Sequence, residues 1–303
     1  RATPAVHSST VPTMLIGGWQ DWFVEQTLYQ YAALRERDVD VALTLGPWAH
    51  LGIDPAVTTP ESLAWLATHL PVDGAPPAPP RPERVRVHVT GARTWRTLPA
   101  WPPATIDRTF YLAPEGRLAD DVPSRAAETT FTYDPMDPTP SVGGRILANS
   151  AGQRDNRALE ARDDVVTFTT APLRTPVEVQ GGVRVRLQVE SDTPYADLFV
   201  RLCDVEPSGR SLNITDRLVR LDPAPGEEPH TGPRIVALAL VDTAHRFRAG
   251  HRIRLQVSGG AHPRYARNLG TGEPVGEATR GVPTTHRICA GGATPSSITL
   301  PTA

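Results

Sequence analysis

The feature that most constrains this chain is a change of hydrophobic period across a proline-rich stretch, Pro71 to Arg84 (PVDGAPPAPPRPER). Before it, short apolar runs alternate with segments of helical spacing. PTMLI (12–16) and VDVALTLGP (39–47) suit buried parallel strands. Val24, Leu28, Tyr31 and Ala32 fall on one helical face over 24–35. Thr59-Pro60-Glu61-Ser62 reads as the start of a second helix that runs to Leu70. Strand, helix, strand, helix is an α/β unit with parallel strands. After the proline-rich stretch the period falls to two. RVRVHVT (84–90), FTYD, VVTFTT, VRVRLQVE, DLFVRLCDV, LNITDRLVRL, RIVALALV, HRIRLQVS and SITLP are separated by Gly, Pro and Asp turns, as in a β-sandwich of jelly-roll type. The reading is therefore α/β plus all-β: residues 1–70 as the C-terminal part of an α/β domain, 71–84 as a semi-rigid linker, and 85–303 as the sandwich.

Composition narrows the partners. A net charge of −2 over 303 residues gives no electrostatic footprint for nucleic acid or an anionic membrane. No run of 18 apolar residues predicts a transmembrane helix. The two cysteines, Cys203 and Cys289, are too few for a disulfide framework and read as reduced core thiols, which places the chain in the cytoplasm. The nine histidines show no metal-ligand spacing, so neither metal nor cofactor is expected. Assembly into a homo-oligomer stays open.

Two strand ends carry the chemistry. GGWQDWF delivers Asp21 and GPWAH delivers His50, each just past a predicted strand, where functional groups of open α/β sheets sit. Asp then His is the order in which the last two members of an α/β-hydrolase triad occur. An Asp after Gly-Gly is also a common turn former, and a His after Pro-Trp is also a common structural residue.

The wider pattern is more specific. GGWQDWF, GPWAH, the proline-rich junction, FTYDPMDPTPSVGG, DNRALEARDDVVTFTTAPL, DLFVRLCDVEPSGRS and HPRYARNLGTG together resemble the cocaine esterase/NonD hydrolases, relatives of the Xaa-Pro dipeptidyl-peptidases. The resemblance runs from about Val11 to Pro301. It implies an α/β-hydrolase domain with a helical cap, a C-terminal jelly roll, Asp21 as triad acid and His50 as triad base. It also implies that Phe23, two residues after the acid, lines the acyl pocket with Trp22 beside it. The departure from the family is the nucleophile. Ser8, Ser9, Ser208 and Ser258 lack the Gly-x-Ser-x-x-Gly elbow, so the serine-bearing half is expected upstream, as a missing partner, and this chain alone is expected to be inactive. The chain begins RATPAVHSST without Met, which also suggests a start in mid-protein. Substrates would be small esters, amides or peptides. A dipeptidyl-peptidase, or a non-catalytic sandwich that binds sugars, are the rival readings. Loss of an upstream half should also uncover an apolar patch around 12–16 and 41–45.

Overall fold

The computed structural model describes residues 3–303 apart from 71, 75–80, 82, 225, 275 and 293. Most of the expected linker 71–84 lies outside the described residues. The chain resolves into two compact units, one comprising residues up to 104 with 145–152 and 244–246, the other 105–144, 153–243 and 247–303.

The first unit holds a short helix α1 (Thr3–Ser8), then β1 (Thr13–Gln20), α2 (Val24–Glu36), β2 (Val41–Ala49), a single 3-10 turn (His50–Gly52) and α3 (Pro55–His69). β3 (Val85–Val89) and β4 (Thr94–Leu98) follow. The sheet order is β1-β2-β3-β4, with β1, β2 and β3 parallel and β4 antiparallel. β2 is central, and Val41 to Leu45 are all buried.

Three sequence expectations change here. First, 85–89 and 94–98 do not open the sandwich; they finish the α/β sheet, so the first unit runs to 104 rather than ending before the linker. The alternation in RVRVHVT is that of a strand with Val85, Val87 and Val89 wholly buried, and period alone does not say which sheet a strand joins. Second, the expected apolar patch at 41–45 is covered, because β3 closes that edge of β2. Apolar exposure falls instead on Leu63 and Leu66 of α3 and on Leu70, its C-cap. Third, α3 starts five residues earlier than Thr59-Pro60 suggested. Asp54 caps it, its Oδ1 accepting from the Ala56 N–H at 2.9 Å, and Pro55 takes the first helical position, which leaves Pro60 inside the helix.

The second unit is a β-sandwich. Among the described residues most of its strands form one hydrogen-bonded path, from Asp197–Val205 and Ser211–Arg220 at one end to Ala127–Tyr133 at the other, with Val177–Gly181 and Arg234–Ala239 branching off it. One core draws on both ends of that path, with Leu198, Val200 and Leu202 clustered with Phe131, Phe168, Leu255, Ile288 and Leu300. The sheet therefore folds over on itself. On the opposite face of Asp197–Val205 the fully buried Arg201 donates to Asp216, to the Val142 carbonyl and to Asn156 Oδ1. Arg162 holds Asp164 through two hydrogen bonds of 2.7 and 3.0 Å. The Asp155–Arg157 and Arg162–Asp164 motifs thus make ion pairs within the sandwich. Cys203 and Cys289 are both unbridged.

Candidate active site

β1 ends in Gly17-Gly18-Trp19-Gln20, and the chain then turns tightly. The Asp21 N–H donates to the Gly18 carbonyl at 2.9 Å, and the Phe23 N–H donates to Asp21 Oδ1 at 2.8 Å. That bond fixes the Asp21 side chain at the mouth of α2. Asp21 is 5% exposed. β2 ends one strand away and delivers His50 on the 3-10 turn. His50 Nδ1 lies 3.2 Å from Asp21 Oδ1 and 3.4 Å from Oδ2.

A carboxylate can only accept, so Nδ1 carries the proton. The opposite nitrogen, Nε2, is then the basic lone pair, and no described residue hydrogen-bonds it. The His50 side chain is 39% exposed, so a reacting hydroxyl can reach it from solvent. An acid that holds a histidine in one tautomer, with the other nitrogen open, is the arrangement a general base needs. Phe23 packs edge-on against the His50 ring at 5.2 Å, and both Phe23 and Trp22 are 44% exposed. Both aromatics are surface groups rather than core, and Phe23 lies against the histidine.

Sequence reading also missed histidine pairs elsewhere, two of which lie in the sandwich. His251 Nδ1 is 2.8 Å from Asp204 Oδ1, and Ser191 Oγ is 3.0 Å from His286 Nδ1. Neither lies at the end of a parallel strand. Ser191 and His286 are both 0% exposed, so no substrate reaches them. Burial pushes His286 down to about 4. The sign follows: above about 6.5 both states are neutral, and as pH falls the unfolded chain takes a proton that the folded one refuses. This burial should therefore cost the sandwich about 3 kcal/mol of stability between pH 7 and pH 4, levelling off below about 4. Urea denaturation at several pH values should show that loss, and His286→Gln should flatten it. An equal loss in the variant would assign the effect elsewhere.

Ser258, a serine weighed as a nucleophile, is buried and donates to the Gly260 carbonyl at 2.9 Å. Ser8 donates to the Pro4 carbonyl within α1, and Ser208 to Glu206 in a turn. None of these three serines hydrogen-bonds a histidine.

Comparison with known proteins identifies the family. A family model described as the X-Pro dipeptidyl-peptidase C-terminal non-catalytic domain matches residues 80–299, and one for the X-Pro dipeptidyl-peptidase S15 family matches residues 1–52. Cocaine esterase of Rhodococcus sp. (strain MB1 Bresler) is 32% identical, over 96% of this chain and 56% of that protein. The chain belongs to the cocaine esterase/NonD family. This is a family of serine hydrolases, and the chain corresponds to its C-terminal part. An α-amino acid ester hydrolase structure superposes with TM-score 0.86 at 25% identity, covering 99% of this chain and 57% of that one. A CocE/NonD family hydrolase from Staphylococcus aureus, at TM-score 0.65 and 14% identity, covers 98% of this chain and 55% of that one and shares the fold. The chain thus spans about half the length of the relatives it matches. In family terms the architecture is the last strands of an α/β-hydrolase domain followed by a β-sandwich. The model called non-catalytic begins at residue 80, yet β3 and β4 within it belong to the sheet that carries Asp21 and His50. Among the described residues no helix is long and apolar enough to cross a membrane.

Proposed function

We propose that this chain supplies the acid and the base of a serine hydrolase that cleaves small ester or amide substrates through an acyl-enzyme. The observation that carries the reading is the Asp21–His50 hydrogen bond across adjacent parallel strand ends, with Nε2 left open. A serine from the family's N-terminal half attacks the carbonyl carbon while His50 Nε2 takes its proton. His50 returns that proton to the leaving alkoxide or amine as the carbonyl–leaving-group bond breaks. A water then repeats the sequence and releases the acid. Asp21 holds the tautomer and offsets the charge on the imidazolium. Phe23 and Trp22 wall the acyl side of the pocket. The step requires no cofactor.

Two surface features support a serine-bearing partner segment. β1 is an edge of the described sheet, and parallel strands are normally flanked and covered. Leu63 and Leu66 of α3, with Leu70 at its C-cap, stand 49–67% exposed at helical spacing. The match to X-Pro dipeptidyl-peptidase models favours a peptide substrate as the second reading. A sugar-binding sandwich is disfavoured, because Phe110, Phe131, Tyr133, Phe168 and Phe199 are at most 3% exposed and cannot present a stacking row. The unbridged thiols support a cytoplasmic setting.

The chain alone is expected not to hydrolyse p-nitrophenyl esters above background and not to react with a fluorophosphonate probe. Co-expression with the N-terminal half of a family member should restore both. Stoichiometric labelling of a serine in the isolated chain would overturn the division of the triad.

A further inference from the structure

The β1–β2 ladder contains an irregularity placed where it decides the chemistry. The parallel register runs Gly17 with Leu45 and Gly18 with Gly46, then resumes at Gln20 with Ala49. One residue of β1, Trp19, therefore faces two of β2, Pro47 and Trp48. Bulges are rare in parallel pairs. Without this one the register would continue Trp19 with Pro47, Gln20 with Trp48 and Asp21 with Ala49. His50 would then lie one position beyond Asp21, with its side chain turned to the other face. The extra residue is what brings the histidine level with the aspartate.

The residues of the bulge account for its form. Pro47 has no N–H to leave unpaired, and it is exposed. The Trp48 ring folds back over Gly46, where a Cβ would lie 2.3 Å from ring carbon Cε3. The Trp48 carbonyl presses on Gly18, where a Cβ would lie 2.1 Å from the oxygen. Only glycine fits either place. The ring is 9% exposed and packs on Trp95 of β4 with centroids 5.8 Å apart. The opposite strand end is braced by the same hairpin, since Trp19 Nε1 donates to the His88 carbonyl at 2.8 Å.

We propose that Trp48, braced by Trp95, is a positioning residue that locks the bulge and so sets the register in which His50 meets Asp21. This rests on the hydrolase reading for its purpose, but not for its test. Among the described residues no hydrogen bond or ring contact joins Trp48 to Asp21 or His50; it acts through the backbone of β2. A ring removed from above Gly46 frees the strand to slip toward regular pairing, and the Nδ1–H bond to Asp21 is lost.

The measurement is ¹⁵N and ¹H NMR of the His50 imidazole in the whole chain, with far-UV circular dichroism as the check on folding. The intact chain should show His50 as a single Nδ1–H tautomer with a downfield, hydrogen-bonded proton that vanishes in Asp21→Ala. Trp48→Ala should lose that proton and mix the two tautomers while the fold persists, and Trp48→Phe should keep it. Trp95→Ala, a half-buried position on β4, should weaken the signal in the same direction. A folded Trp48→Ala with the His50 signature of the parent would overturn the proposal. If Trp48→Ala does not fold, Trp95→Ala decides: an unchanged His50 signature there overturns it as well. Failure of the hydrolase reading would show instead as an intact signature in a reconstituted complex that has no activity.

Discussion

In the reconstituted hydrolase, His50→Ala should lower kcat by roughly 10⁴- to 10⁶-fold with KM little changed. In the proposed mechanism His50 takes the proton from the attacking hydroxyl, so its loss removes the nucleophile's activation and the leaving group's acid together. Asp21→Asn should cost roughly 10⁴-fold. The amide can donate to the ring, so it favours the tautomer with the proton on Nε2, the nitrogen that must be free. The two effects should not add in the double variant, because both act through one proton transfer. Activity against a p-nitrophenyl ester, in complexes shown intact by size exclusion, measures all three. An His50→Ala complex retaining more than about a tenth of kcat would remove His50 from the mechanism.

That Asp21 and His50 stand at two neighbouring strand ends was legible in the sequence because a parallel strand end is short and stereotyped. An apolar run, two small residues and one polar group leave few alternatives for where Asp21 and His50 point. The spacing between them could not be read in the same way. Gly46-Pro47-Trp48 looks like any turn, and that it is a bulge shows only when its partner strand, Gly18 to Gln20, is laid beside it. The domain boundary failed for a related reason. Val85, Val87 and Val89 alternate as strand residues in either sheet, and what assigns them is pairing with Leu43 to Leu45, some forty residues away. In the sandwich, strands with clean alternation such as 184–191 and 252–258 were evident. Val177–Gly181 was not, because all five residues are buried, so the polar Glu178 and Gln180, which bond each other at 2.6 Å, mark no solvent face and break the expected alternation. Strand Thr284–Ala290 was obscured by His286 and Arg287, one buried with Ser191 and the other paired with Glu190.

The buried charges of the sandwich give the second large effect. Asp216→Ala should destabilise the sandwich by about 3–5 kcal/mol. Asp216 Oδ2 accepts from Arg201 Nε at 3.2 Å and Nη2 at 3.0 Å, and its Oδ1 accepts from Arg264 Nη1 at 2.8 Å. The Arg201 and Arg264 side chains are 0% and 4% exposed, so removal of the carboxylate leaves two guanidinium charges facing each other with no route to water. Stacking of Arg201 over Phe199 and of Arg264 over Tyr265, at 4.9 Å each, is too weak to offset that. The penalty comes from stranding charges rather than from losing attraction. Replacing all three residues together by apolar side chains of similar volume should therefore recover much of the loss. Asp155→Ala, which breaks an exposed pair with Arg157, should change little by comparison. Urea denaturation of the three variants separates these cases. A loss below about 1 kcal/mol in Asp216→Ala would mean that water reaches the network, and the triple replacement would then destabilise more than the single one.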